Sequence, residues 1–178
     1  GQVEYARDRI SISQVYKAKA VDFSTSSIDF DGAVEVEGDV GEGFEVKAAG
    51  SIAISGFVEA APLAAGANLS VSKGVIGRNK STVRCERDLD TGFLRELELR
   101  CAGQVISSGE LMRVDAVVGG DVTASGFRLV GGEWKVAGSL YVAELGSDSE
   151  VATVVSVGED VELEQELDAL VARRAELS

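Results

Sequence analysis

The feature that most constrains this chain is a turn that recurs seven times. Gly32, Gly50, Ala67, Arg87, Gly103, Gly120 and Gly138 each close one run of alternating apolar and polar residues and open the next, in steps of 18, 17, 20, 16, 17 and 18 residues. A short, repeated period restricts a chain to stacked units. Side chains two apart on a strand share a face. After the turn, Val34 and Val36, Ile52 and Ile54, Leu69 and Val71, Val105, Val122 and Leu140 fall on one face. Before it, Val46 and Ala48, Leu63 and Ala65, Leu99 and Cys101, and Ala116 and Val118 do the same, preceded two residues upstream by Phe44, Ala61, Leu97 and Val114. Between them stand Glu35, Glu45, Lys47, Ser51, Ser70, Arg84, Glu98, Arg100, Asp115 and Asp121, as the water side of each strand requires.

Coils this short hold no helix, and a meander of hairpins would not return each turn residue to one phase. A parallel β-helix with two or three short strands per coil does both. Six intervals of about 4.8 Å stack the seven turns over roughly 29 Å. The β-helix is expected over residues 1–158, with 1–21 forming a cap or the first coil. From residue 159 the period changes. An acidic first turn, Glu159 to Glu162, and a basic end, Arg173 and Arg174, suit a helix over 159–178. Its Leu163, Leu167, Leu170 and Leu177 follow spacings of 4, 3 and 7, a coiled-coil seam interrupted by Arg174. A helix folded back over the last coil is the alternative.

With 45% apolar residues and 21 glycines against one proline, the 178-residue chain suits a single well-buried core with many turns. It contains no run of 18 apolar residues and no basic-then-apolar leader, so a soluble protein without membrane insertion is expected. The net charge of −13 disfavours nucleic acid and anionic lipid as partners. Between Lys19 and Lys47 the chain carries acids and no base. Such a run is a solvated face, or a docking face for a basic partner made of Asp29, Asp31, Glu35, Glu37 and Asp39. Its spacing matches no calcium loop. Glu45 with Lys47, Glu98 with Arg100, and Glu133 with Lys135 share one phase, so stacking would align them into an acidic and a basic ladder.

Cys85 and Cys101 lie two residues before their turns, which predicts a reduced pair stacked in the core. The absence of histidine excludes a Cys-His nucleophile, a Ser-His-Asp triad and a Cys/His metal site within this segment. Gly41-Glu42-Gly43 and Gly131-Gly132 lack a following helix and lysine and read as turns rather than phosphate loops. Trp134 has an inward phase. No catalytic residue, cofactor or metal is expected.

Val21-Asp22-Phe23-Ser24-Thr25, Ile28-Asp29-Phe30, Gly38-Asp39-Val40, Gly43-Phe44-Glu45-Val46-Lys47-Ala48 and Gly56-Phe57-Val58-Glu59-Ala60, with Leu145-Gly146-Ser147 and Val157-Gly158-Glu159-Asp160, resemble the flagellar assembly protein A (FapA) family over nearly the whole chain. The resemblance implies a right-handed parallel β-helix followed by a coiled coil, in a cytoplasmic bacterial protein linked to assembly and polar placement of flagella, with no catalytic residues. It points to a non-catalytic scaffold with partners in the flagellar or cell-pole machinery, and to a homo-oligomer through the coiled coil or the β-helix ends. A bactofilin-like self-assembling cytoskeletal element is the alternative. A carbohydrate-active β-helix enzyme is the weaker one.

Overall fold

The structure is a computed structural model that describes residues 2–6, 9–149 and 151–158, together with 171, 173 and 174. Each coil has three sides. The first face stacks eight parallel strands: Val15–Ala18, Ala33–Val36, Ile52–Ile54, Leu69–Val71, Leu89–Thr91, Val105–Ser107 and the leading halves of Val122–Val130 and Leu140–Leu145. The third face stacks Ile28–Phe30, Val46–Ala48, Leu63–Ala65, Thr82–Cys85, the ends of Leu94–Cys101 and Leu111–Val118, Gly132–Val136 and Thr153–Val157. The second face is narrower. It presents a single inward row through Val21, Val40, Val58, Val75, Leu94, Leu111 and Leu129. The result is a parallel β-solenoid, and seven intervals of about 4.8 Å make its stack roughly 34 Å tall.

The repeated turn is the corner from the third face to the first, and its length never varies. Phe30 to Val34, Ala48 to Ile52, Ala65 to Leu69, Cys85 to Leu89, Cys101 to Val105, Val118 to Val122 and Val136 to Leu140 are each four residues apart. The turn residues stack directly. Gly50 N–H donates to Gly32 O (2.8 Å), Arg87 to Ala67 (3.3 Å), Gly103 to Arg87 (2.9 Å), Gly120 to Gly103 (2.9 Å) and Gly138 to Gly120 (3.1 Å). The small polar residue that follows each turn gains a role from this stacking. Asp88 Oδ1 accepts from Gln104 N–H (3.0 Å), Asp121 Oδ1 from Ser139 N–H (2.8 Å) and Asn68 Oδ1 from Asp88 N–H (3.4 Å), so each side chain satisfies a donor of the coil above. A Cβ on Gly138 would lie 2.3 Å from Asp121 Oδ1 and 2.7 Å from Gly120 C, which is why this position excludes a side chain.

The other two corners absorb the irregular steps. From the first face to the second, three residues separate Thr91 and Leu94, whereas five separate Ala124 and Leu129. From the second face to the third, the 20-residue step places its extra residues between Ile76 and Thr82. There Arg78 and Asn79 adopt positive φ of 50° and 57°. Arg78 pairs with Glu59 and, at 3.0 Å, with Glu42, while Lys80 reaches Glu42 at 3.2 Å, so the bulge is tied to two lower coils. Ala60, Glu96 and Arg113 turn the same corner in the left-handed region without being glycine.

The apolar rows form one continuous core, as the phases predict, and Trp134 is fully buried in it. Phe44 meets its expected inward position only in part, packing against the core without being enclosed by it. It is half-buried beside the second-to-third corner, with its ring edge-on to Phe23 at 5.2 Å, because the chain between Val40 and Val46 is one residue longer than in the coil above. Gln2–Ala6 and Arg9–Ser13 form an antiparallel hairpin in a sheet of their own, and the stack begins at Val15. Of the helix expected over 159–178, Val171, Arg173 and Arg174 are helical and exposed; the rest, including the leucine seam, lies outside the described residues.

Gly138→Ala should therefore cost about 1–3 kcal/mol through overpacking against the turn below, and Asp121→Ala about 1 kcal/mol through one unsatisfied N–H. Urea unfolding followed by far-ultraviolet circular dichroism measures both, and a cost below about 0.5 kcal/mol for Gly138→Ala would place the tight packing elsewhere.

Candidate docking surface

The five acids expected to form a docking face do not share one. Asp29 lies on the third face, 4.0 Å from Lys47 Nζ, and Asp31 sits at the following corner. Glu35 lies on the first face, 3.3 Å from Lys17 Nζ. Glu37 and Asp39 occupy the next corner, and Asp39 Oδ1 accepts the Phe57 N–H at 2.7 Å. Eleven residues of a coil turn through more than one side, so acids contiguous in sequence encircle the rod. Asp39 is a turn cap of the same kind as Asp88 and Asp121.

The expected pairs share two outward columns on the third face, but neither column is a continuous ladder of one charge. The register runs Asp29, Lys47, Ala64, Arg84, Arg100, Val117, Lys135 and Ser156 in one outward column. Two residues earlier, Glu98 stacks on Thr82 and under Asp115, and Glu45 and Glu133 hold the same place in their coils. Arg84 and Arg100 are in-register neighbours and both exposed. Neither forms an ion pair among the described residues, and neither does Glu98. Two like charges about 4.8 Å apart repel rather than stabilise the stack.

The second face carries a surface that sequence phase did not reveal. Phe57 and Phe93 stand two coils apart with ring centroids at 6.1 Å, because Gly74 lies between them. A Cβ on Gly74 would meet the Phe93 ring at 2.5 Å. Lys73 Nζ lies 4.9 Å from the Phe57 centroid, and Arg95 Cζ lies 5.8 Å from that of Phe93. The Arg95 guanidinium also touches Met112 Sδ at 3.9 Å. Neither cation has a carboxylate partner among the described residues. Above them, a cleft of about 280 Å³ opens between Phe93, Arg95, Met112 and Phe127. A second, of about 260 Å³, continues it past Met112 to Arg128, Val130 and Val151. Arg113 and Arg128, by contrast, are matched to Glu96 (3.1 Å) and Glu110 (3.4 Å).

The profile of the Flagellar Assembly Protein A beta solenoid domain matches residues 14–178. The chain belongs to this family. Its matched segment begins at the corner that leads into the first strand of the stack and continues past the last one. No curated protein and no solved structure matches the chain. No helix among the described residues is long and apolar enough to cross a membrane.

The two cysteines lie where the turn phase puts them. They are in register on adjacent coils, both buried and free of a disulfide, with Sγ atoms 3.2 Å apart and Cys101 Sγ 3.0 Å from Arg87 O. The hydrogen bond to Cys101, reinforced by burial, holds the Cys85 thiol well above its ordinary range. The same hydrogen bond shifts the Cys101 thiol downward, but both sulfurs are enclosed and react only when the coil opens. Alkylation by iodoacetamide at pH 8 should be roughly a hundredfold slower in the native chain than in 6 M urea, read by mass spectrometry. Comparable rates would show that these coils are open in the native state.

Proposed function

We propose that the protein is a non-catalytic scaffold of flagellar assembly that captures a partner protein on its second face. The observation that carries this reading is the run of Phe93, Arg95 and Met112 beside an open cleft. Aromatic, methionine and arginine side chains are the residues that dominate binding energy at protein contacts. Here they lie on a chain of net charge −13, and Arg95 is matched to no acid of its own coil neighbours. Membership of a flagellar assembly family supplies the context and supports a cytoplasmic place of work. A second reading is end-to-end self-assembly, since Leu145 and Val157 in the last coil are about half exposed.

The test is complementation of a strain lacking the gene. The doubly substituted Phe93→Ala, Arg95→Glu protein, present at normal level, should fail to restore flagellation, whereas Arg84→Ala should restore it. Full restoration by the double variant would overturn the second-face reading. Concentration-dependent fibres of the purified chain in electron micrographs would favour end-to-end assembly instead.

A further inference from the structure

The second face holds a cationic patch that its own acids do not neutralise. Glu59 and Glu110, which stand in its outward columns, are held by Arg78 and Arg128, and Glu96, next to Arg95 in the chain, is held by Arg113. Lys73 and Arg95 are exposed, and among the described residues they meet the rings of Phe57 and Phe93 and the Met112 sulfur, with no carboxylate. An exposed guanidinium without a counter-charge offers its fork of donors to a carboxylate from outside. The two clefts follow Arg95 along the rod. Counted from Val15–Ala18, Arg95 belongs to the fifth coil, Met112 to the sixth, Phe127 to the seventh and Val151 to the eighth. Arg95 and Val151 are thus three coils apart, about 14 Å, the span of four residues of an extended chain. On such a chain every second side chain points the same way, about 7 Å from the last.

We propose that the occupant of the second face is an extended segment of another protein, carrying a carboxylate for Arg95 and, two and four positions from it, two apolar side chains for the two clefts. This rests on the reading that the second face captures a partner, and it names what that partner presents. The segment lies along the rod and across the strands, its acidic end over Lys73 and Arg95 and its apolar end toward Val130 and Val151. Each cleft, at about 280 and 260 Å³, falls below the roughly 300–1,000 Å³ of small-molecule pockets and suits one apolar side chain at a time. Met112 lines both clefts, and its unbranched thioether adapts to different side chains. A basic segment would find Glu59, Glu96 and Glu110 already taken. Nucleic acid would satisfy the cations and leave both clefts unfilled, and the net charge of −13 repels it. That same charge acts on an acidic segment only weakly, because salt screens it beyond about 8 Å and leaves the local patch to decide.

Selection of random twelve-residue peptides, displayed on phage, against the immobilised chain tests this. Enriched peptides should share an acid with apolar residues two and four positions away, in either direction along the peptide. The most enriched peptide, synthesised with a fluorescent label, then gives dissociation constants by polarisation. Arg95→Gln should raise that constant at least about tenfold and Lys73→Gln about threefold, while Arg84→Ala leaves it unchanged. Replacing the peptide's acid by its amide should cost about tenfold against the unsubstituted chain and little against Arg95→Gln, the coupling that a direct pair requires. Far-ultraviolet circular dichroism checks that the variants keep the fold, which these exposed sites favour. Absence of enrichment overturns the proposal, and so does binding indifferent to Arg95→Gln. If peptides that ignore Arg95→Gln still lose affinity with Phe93→Ala, the second face remains the capture surface and the acidic partner is refuted. If Phe93→Ala is silent as well, both readings fall.

Discussion

Everything in this rod depends on the corner between its third and first faces, where seven turns of constant length lie directly on one another. A corner of fixed length fixes the register of the strands on both sides of it, and a slip of one residue would turn every inward side chain outward. The chain holds that register by two kinds of bond. Turn amides such as Gly103, Gly120 and Gly138 donate to the turn carbonyl below, and carboxylates such as Asp88 and Asp121 accept the next amide along. Close approach of the backbones leaves no room for a Cβ at Gly120 or Gly138. Where Ala67 and Arg87 replace glycine the stack continues, because the bond is made by the backbone.

With one corner locked, the others are free to vary. The bulge at 77–81 adds residues without disturbing Val83, which still pairs with Leu63 below and Leu99 above. The interior shows the same economy of shape. Thr91 and Ser107 take places that Ile54 and Val71 hold in lower coils, and each hydroxyl donates to a nearby carbonyl, Phe93 O at 3.1 Å and Gly109 O at 3.0 Å. Trp134 is fully buried in the core, where its Nε1–H finds no acceptor among the described residues, a cost offset by the burial of a large side chain.

What could be read from the residues follows from this division. The first and third faces each bury two residues per strand, so they write a period of two into the sequence, and the fixed corner keeps that period in phase from coil to coil. The stacked cysteines, the inward Trp134 and the shared phase of the third-face charges were legible for that reason. The second face buries one residue per coil, between corners of changing length, and no period survives. The Phe57, Phe93 and Arg95 surface was accordingly hidden, and so were the left-handed corners at Ala60, Glu96 and Arg113, which carry no glycine. The acidic run from Asp29 to Asp39 misled in the opposite direction, since neighbours along a coil part company at each corner.

A rod of this kind offers long sides, which accords with a family named for assembly. Its sides differ in chemistry: one mixes aromatic rings with unmatched cations, another sets acid and base two residues apart in several coils. Both patterns exist only if the coils stack in the register described. Scalar couplings across hydrogen bonds, measured by nuclear magnetic resonance on the isotopically labelled chain, read that register directly. The amide nitrogens of Gly103, Gly120 and Gly138 should couple to the carbonyl carbons of Arg87, Gly103 and Gly120 respectively. Couplings of these amides to residues within their own coil, or to carbonyls one position away, would contradict the stack and every surface built on it.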